Sequence, residues 1–117
     1  MDNLSLYKEN KDILDNHFGS EKDKFIESVK KIAFAKTNLK SIKAMVAKEK
    51  DNEKISKTAL KDIIDGDKRS IEAEDLLEKW KGEKEIRKVS MGYLEMQINN
   101  NKKMMDSLTS DKKYMGT

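Results

Sequence analysis

The sequence predicts an all-α protein: a small bundle of about four to five helices, with one or two long amphipathic helices among them. Three observations predict it. Proline is absent and glycine occurs five times in 117 residues, so long stretches carry no obligatory helix breaker. Charged residues make up 40% of the chain and apolar ones 36%, a balance that lets each helix bury a narrow stripe but not a broad face. The β-branched and aromatic residues are too few and too scattered to alternate as strands require.

Leu6, Ile13, Leu14 and Phe18 mark a first short helix, with Gly19 placed to stop it. Ser20 then opens a second, and Asp23 three residues on completes a variant capping box. Phe25, Val29, Ile32, Leu39 and Val46 follow at intervals of four, three, seven and seven. That is a 3.5-residue seam in which Lys36 and Lys43 hold the intervening positions, and the helix is expected to reach about Lys50. The polar string from Lys48 to Lys54 reads either as a break or as an exposed turn of helix. A third helix carries Ile55, Ala59, Leu60, Ile63 and Ile64 and ends at Asp65-Gly66. A short fourth runs from about Ile71 to Trp80, with Gly82 as its boundary. The last covers about Glu83 to Leu108, with Ile86, Val89, Tyr93, Met96 and Met104 on one side; Gly92 and Asn99 to Asn101 weaken it. Residues 1–117 read as one domain with a frayed tail from about Thr109.

The net charge of +3 is small, but its distribution is uneven. Residues 21–50 hold nine lysines against four acids, whereas residues 67–90 are balanced at seven of each. Most of the positive field therefore falls on the second helix. With no cysteine there is no disulfide framework, thiolate zinc site or cysteine nucleophile. The first fourteen residues include Asp2, Lys8, Glu9, Lys11 and Asp12 and lack the apolar centre of a signal peptide. No run approaches the ~18 apolar residues that span a bilayer, so a cytoplasmic protein without membrane contact is expected.

Catalysis finds no home in this pattern. His17 is the lone histidine and, beside Phe18 at a helix end, is read as complementing a helix C-terminus. The carboxylates stand among lysines at helical spacing, as on a solvated face. The string Asp65 to Asp75 faintly echoes a calcium loop, but Arg69 would occupy a ligand position and oppose the dication, so an acidic helix N-terminus accounts for it better. Neither enzyme activity nor cofactor, metal or small-molecule substrate is expected. Trp80-Lys81-Gly82 is too short a motif to carry any assignment.

Ile55-Ser56-Lys57-Thr58-Ala59-Leu60-Lys61-Asp62-Ile63-Ile64-Asp65-Gly66 resembles the recognition helix of Cro/repressor-type helix-turn-helix proteins, and with Ile71, Leu76 and Leu77 the likeness extends over residues 55–80. It implies that Ile55, Leu60 and Ile63 anchor the helix, that Ser56, Lys57, Thr58 and Lys61 face DNA bases, and that Lys68 and Arg69 meet phosphate. Upstream the pattern departs, since Glu49 and Lys50 stand where the family places small and apolar residues. Lys36, Lys40, Lys43 and Lys50 offer further phosphate contacts. Phe25-Ile26-Glu27-Ser28, Ala59-Leu60-Lys61 and Lys84-Glu85-Ile86-Arg87-Lys88-Val89 are similar to short stretches of phage recombination-mediator proteins, which would imply a single-strand DNA accessory role.

The leading expectation is a non-enzymatic helical interaction protein that self-assembles or binds a larger protein. Thin apolar stripes and seven methionines favour burial against a partner, with Tyr93, Met96, Met104 and Met105 as interface residues. The lysine- and asparagine-rich, proline-free composition suits a phage or mobile-element accessory protein. The alternative is a DNA-associated regulator working through residues 55–69.

Overall fold

The computed structural model describes residues 2–51 and 54–115, with side chains to residue 109, and no strand occurs among them. Helix α1 (Asn3–Asp12), a π-helical segment (Ile13–Phe18) and α2 (Gly19–Glu49) follow one another without a break, then α3 (Lys57–Gly66) and α4 (Lys68–Met115). The all-α expectation holds; the bundle of four to five helices does not, because there are three helices, two of them long. Neither expected glycine boundary interrupts the chain. Gly19 takes ordinary helical angles, φ −59 and ψ −42, and Gly82 and Gly92 lie inside α4. A glycine inside a helix costs about 1 kcal/mol relative to alanine. Burying one aliphatic side chain returns about 1.5–3 kcal/mol, so a helix whose apolar stripe continues past the glycine continues with it. By contrast α3 ends at the expected Gly66, and α2 ends within the polar string. The backbone remains helical into the expected tail, whose side chains from 110 onward lie outside the described residues.

The chain divides into two compact units. Unit 1 joins Met1–Phe25 to Glu85–Thr117. Asp2 caps α1, its carboxylate accepting the Ser5 N–H at 2.8 Å. The side of this first stretch that is buried or half-buried carries Asn3, Leu6, Asn10, Ile13, Phe18, Glu21 and Phe25. Its steps are three and four except across the π-helical segment, where Ile13 to Phe18 is five. A π turn takes up one extra residue per turn. It therefore returns Phe18 and Glu21 to the face that Leu6 and Ile13 established. On α4 the answering side is Arg87, Met91, Leu94, Ile98, Asn101, Met105 and Leu108, again at alternating fours and threes. The two run antiparallel, held by polar rungs: Asn3 to Thr109 at 3.0 Å, Asn101 Nδ2 to Asn10 Oδ1 at 2.9 Å and Arg87 to Glu21 at 3.2 Å. Asn10 also donates to the Ile98 carbonyl at 3.3 Å. A buried amide pair is satisfied in one alignment only, so it fixes register at some expense of stability.

Unit 2 comprises Ile26–Lys84. Here Ser28, Ile32, Ala35, Leu39, Ile42 and Val46 of α2 are buried or half-buried, as are Ser70, Ala73, Leu77 and Trp80 of α4. Ile32, Ala35 and Leu77 form the centre, with Leu39 and Trp80 packed against them. The expected seam is thus corrected at every second position. Ser28, Ala35 and Ile42 lie inside, and Val29 is exposed. Lys36 is exposed too, while Lys43 is half-buried but reaches out to carboxylates. Small residues on both helices let the axes approach, and the larger ones then interdigitate between them. A single residue, Asp67, joins α3 to α4: its N–H is donated to Ile64, and its carboxylate caps α4 by accepting the Arg69 N–H at 2.9 Å.

Three expectations follow. Gly82→Ala meets no atom within 4 Å of the new Cβ and should stabilise the protein by about 0.5–1 kcal/mol in urea titrations. Deleting Asp15 should convert the π turn to regular α-helix and leave the thermal melt by circular dichroism nearly unchanged. Deleting Lys8 should lower the melt markedly, because Asn3 and Leu6 then rotate off the buried face.

Candidate interaction surface on helix α4

Within unit 1, α4 carries a second apolar stripe. Ile86 is 59% exposed, Val89 71%, Tyr93 58% and Met96 55%. Their steps are three, four and three. At 100° per residue they lie roughly 150° around the helix from the half-buried and buried series Arg87, Met91, Leu94 and Ile98. The helix is therefore apolar on two opposite sides, and only one faces α1 and the start of α2. Tyr93 accepts a hydrogen bond from Gln97 Nε2 at 3.2 Å, which holds the phenol along the helix surface. Ser90 and Gly92 flank the middle of the stripe, and a Cβ at Gly92 would meet nothing within 4 Å. The exposed side is the one that the sequence marks with Ile86, Val89, Tyr93, Met96 and Met104; Met104 is also exposed. Met105 differs, being half-buried in a groove of about 240 Å³ with Tyr7, Leu14, Ile98 and Lys102.

The residues considered for nucleic acid all belong to unit 2, and the structure gathers only some of them. Lys43, Lys57 and Lys61 border one groove whose floor is Leu60 and Ile64, with Asp65 on the rim. Lys43 reaches Asp65 at 3.3 Å and Glu74 at 3.8 Å. Ser56 caps α3, its Oγ accepting the Ala59 N–H at 3.2 Å, and Thr58 is exposed beside it. Lys68 lies 3.8 Å from Glu72. Lys36 borders a different groove with Val29, Ala33 and Lys84; Lys40 is exposed and Lys50 half-buried. Arg69 is occupied. It forms a two-bond fork to Glu49 at 2.9 and 2.7 Å and a second to Asp67 at 3.0 and 3.1 Å. Its guanidinium would have to leave two carboxylates to meet a phosphate. These bonds hold both carboxyl groups below their ordinary values and raise the guanidinium further. The segment between α2 and α3 spans residues 50–56, longer than the three to four residues of a helix-turn-helix.

His17 does not end a helix. It lies in the π-helical segment, exposed, with Nε2 3.4 Å from Asp12. The polar hollow beside it is lined by Asn16, Ser20, Glu21, Lys24, Ser90 and Leu94. Among the described residues no histidine or carboxylate cluster could hold a metal ion, and no helix is long and apolar enough to cross a membrane.

Sequence reasoning missed the Arg69–Glu49 fork, since nothing in a local pattern links residues twenty positions apart. The Asn10–Asn101 pair did leave a signal: each stands in series with apolar residues at steps of three and four. Comparison of the chain with protein-family models, curated proteins and solved structures finds no match.

The Arg69 fork makes a pH expectation. Glu49 and Asp67 titrate below their ordinary values of 4.5 and 3.8, chiefly through hydrogen bonds from Arg69. Depressed carboxylates stabilise fully above the unfolded values, and the contribution is lost as pH falls through the folded ones. Amide-exchange protection at the start of α4 should thus be constant above pH 5 and decline below 3.8. Arg69→Gln should lower protection at neutral pH and shrink that decline to the part that the backbone cap from residue 69 to Asp67 sustains.

Proposed function

We propose that the chain is a non-catalytic helical interaction protein whose contact surface is the stripe Ile86, Val89, Tyr93 and Met96. The observation that carries this reading is the two-sided character of α4 in unit 1: a regular apolar series, more than half exposed, opposite the series that is buried. Scattered apolar residues are ordinary on protein surfaces. Four in register at steps of three and four are what one helix offers another, with a tyrosine of the kind that anchors interfaces and a methionine that adapts to them. A photo-crosslinking residue at Val89 should yield a polypeptide adduct in extract of the cells that make the protein naturally. The same residue at Lys102, outside the stripe, is the control. Equal yields from both positions would sink the proposal.

A second reading has one observation in its favour: Lys43, Lys57 and Lys61 converge on one groove beside α3. A DNA-associated regulator working through α3 would bind duplex or single strands with affinity falling steeply as salt rises. The double variant Lys57→Ala, Lys61→Ala would then lose binding. Absence of binding at low salt, by fluorescence anisotropy on both kinds of strand, removes this reading.

A further inference from the structure

We infer that the stripe pairs with the same stripe of a second copy, in antiparallel sense about a two-fold axis level with Met91. The inference rests on the reading of Ile86, Val89, Tyr93 and Met96 as a contact surface, and goes beyond it by naming the occupant.

Three features select a second copy. The first is spacing. Steps of three, four and three read the same in either direction, so an antiparallel copy of the series meets itself without a mismatch. Ile86 comes opposite Met96 of the second copy, and Val89 opposite its Tyr93; the two-fold operation generates the other two layers. All four side chains gain an apolar neighbour, and none is left over.

The second feature is what borders the axis. Ser90 lies on one side of it and Gly92 on the other. Each would face its own symmetry mate, so the bulk at the crossing is minimal and the helices can approach closely. Gly92 is exposed, and its missing Cβ leaves open space, so nothing within unit 1 uses that smallness. Farther out, Glu85 would face Asn99 of the second copy. A carboxylate there meets an amide, not a like charge. A parallel pairing would instead set Glu85 toward Ser90 and Gly92 toward Gln97, so the two small residues would not face their own mates.

The third feature is area. Four side chains at more than half exposure present on the order of 500 Å² per copy, and a symmetric pair would cover about 1,000 Å², near the lower bound for a specific interface. The pairing should accordingly be reversible and concentration-dependent, not obligate.

Because the chain has no cysteine, single cysteines introduced at exposed positions report on the geometry directly. Sedimentation equilibrium of the full chain should approach twice the 13.5 kDa chain mass as concentration rises toward ~100 µM. Val89→Glu should weaken association by about tenfold or more while leaving the far-ultraviolet helical signal intact. A mixture of Glu85→Cys and Asn99→Cys should oxidise to the mixed disulfide, with little of either self-linked species. Self-linking of Glu85→Cys in preference to the mixed species would overturn the antiparallel arrangement. A dimer whose mass is indifferent to Val89→Glu would overturn the choice of surface. A wild-type chain that stays monomeric throughout would overturn self-pairing altogether. In that last case crosslinking from Val89 to a different polypeptide keeps the contact-surface reading alive, and its absence ends both.

Discussion

Two helices laid side by side can hide one stripe each, and everything in this molecule follows from that geometric limit. A helix surrounded on several sides can be apolar over much of its circumference; a helix with one neighbour cannot. In unit 1 the pairing of α4 with α1 and the first turns of α2 buries the series through Leu94, Ile98 and Asn101, and no described element of that unit covers the opposite side. The interior so formed is thin and interrupted by polar rungs. Asn10 and Asn101 occupy places where leucines would add more burial, yet their amides bond to each other and to the Ile98 carbonyl. Leucine in those places would permit sliding by a heptad; the amides do not.

Unit 2 meets the same limit by another means. Ser28, Ala35, Ser70 and Ala73 remove bulk from the contact, so the few large residues can reach deep between the axes. Charge then secures the far end. Glu49 and Asp67 grip one guanidinium from two sides, which ties the last turn of α2 to the corner where α3 becomes α4. The corner needs such a tie because a one-residue connection leaves no slack, and because none of the described side chains of α3 is fully buried.

Helix class was legible from the absence of proline and the narrowness of the apolar pattern. So was α3, where an N-capping Ser56 and the terminal Gly66 carry local signals that no distant contact overrides. Boundaries at Gly19 and Gly82 were not. Glycine propensity is a penalty of limited size, and only the partner helix reveals whether packing outweighs it. The π turn was hidden for a related reason. The buried face steps by five between Ile13 and Phe18, but Leu14 continues the apolar text into the gap and hides the slip. Leu14 is in fact exposed. On α4 the exposed stripe was easier to read than the buried one, since Ile86, Val89, Tyr93 and Met96 look more like a core than Arg87, Met91 and Asn101 do. Which of two candidate faces turns inward is decided by the complementary residues on the other helix, information that a single segment does not contain.

The cation–π contact at Trp80 has an optical consequence. The Lys31 ammonium stands 4.0 Å from the indole centroid, and Lys79 approaches within 5.3 Å. Trp80 is the sole indole of the chain, whereas Tyr7, Tyr93 and Tyr114 all belong to unit 1. Emission excited at the red edge of the spectrum therefore arises in unit 2 alone, from a fluorophore whose excited-state dipole lies in the field of a fixed positive charge. Loss of Lys31 from above the ring would shift that emission even if every helix stayed intact, and rearrangement confined to unit 1 would leave it unchanged.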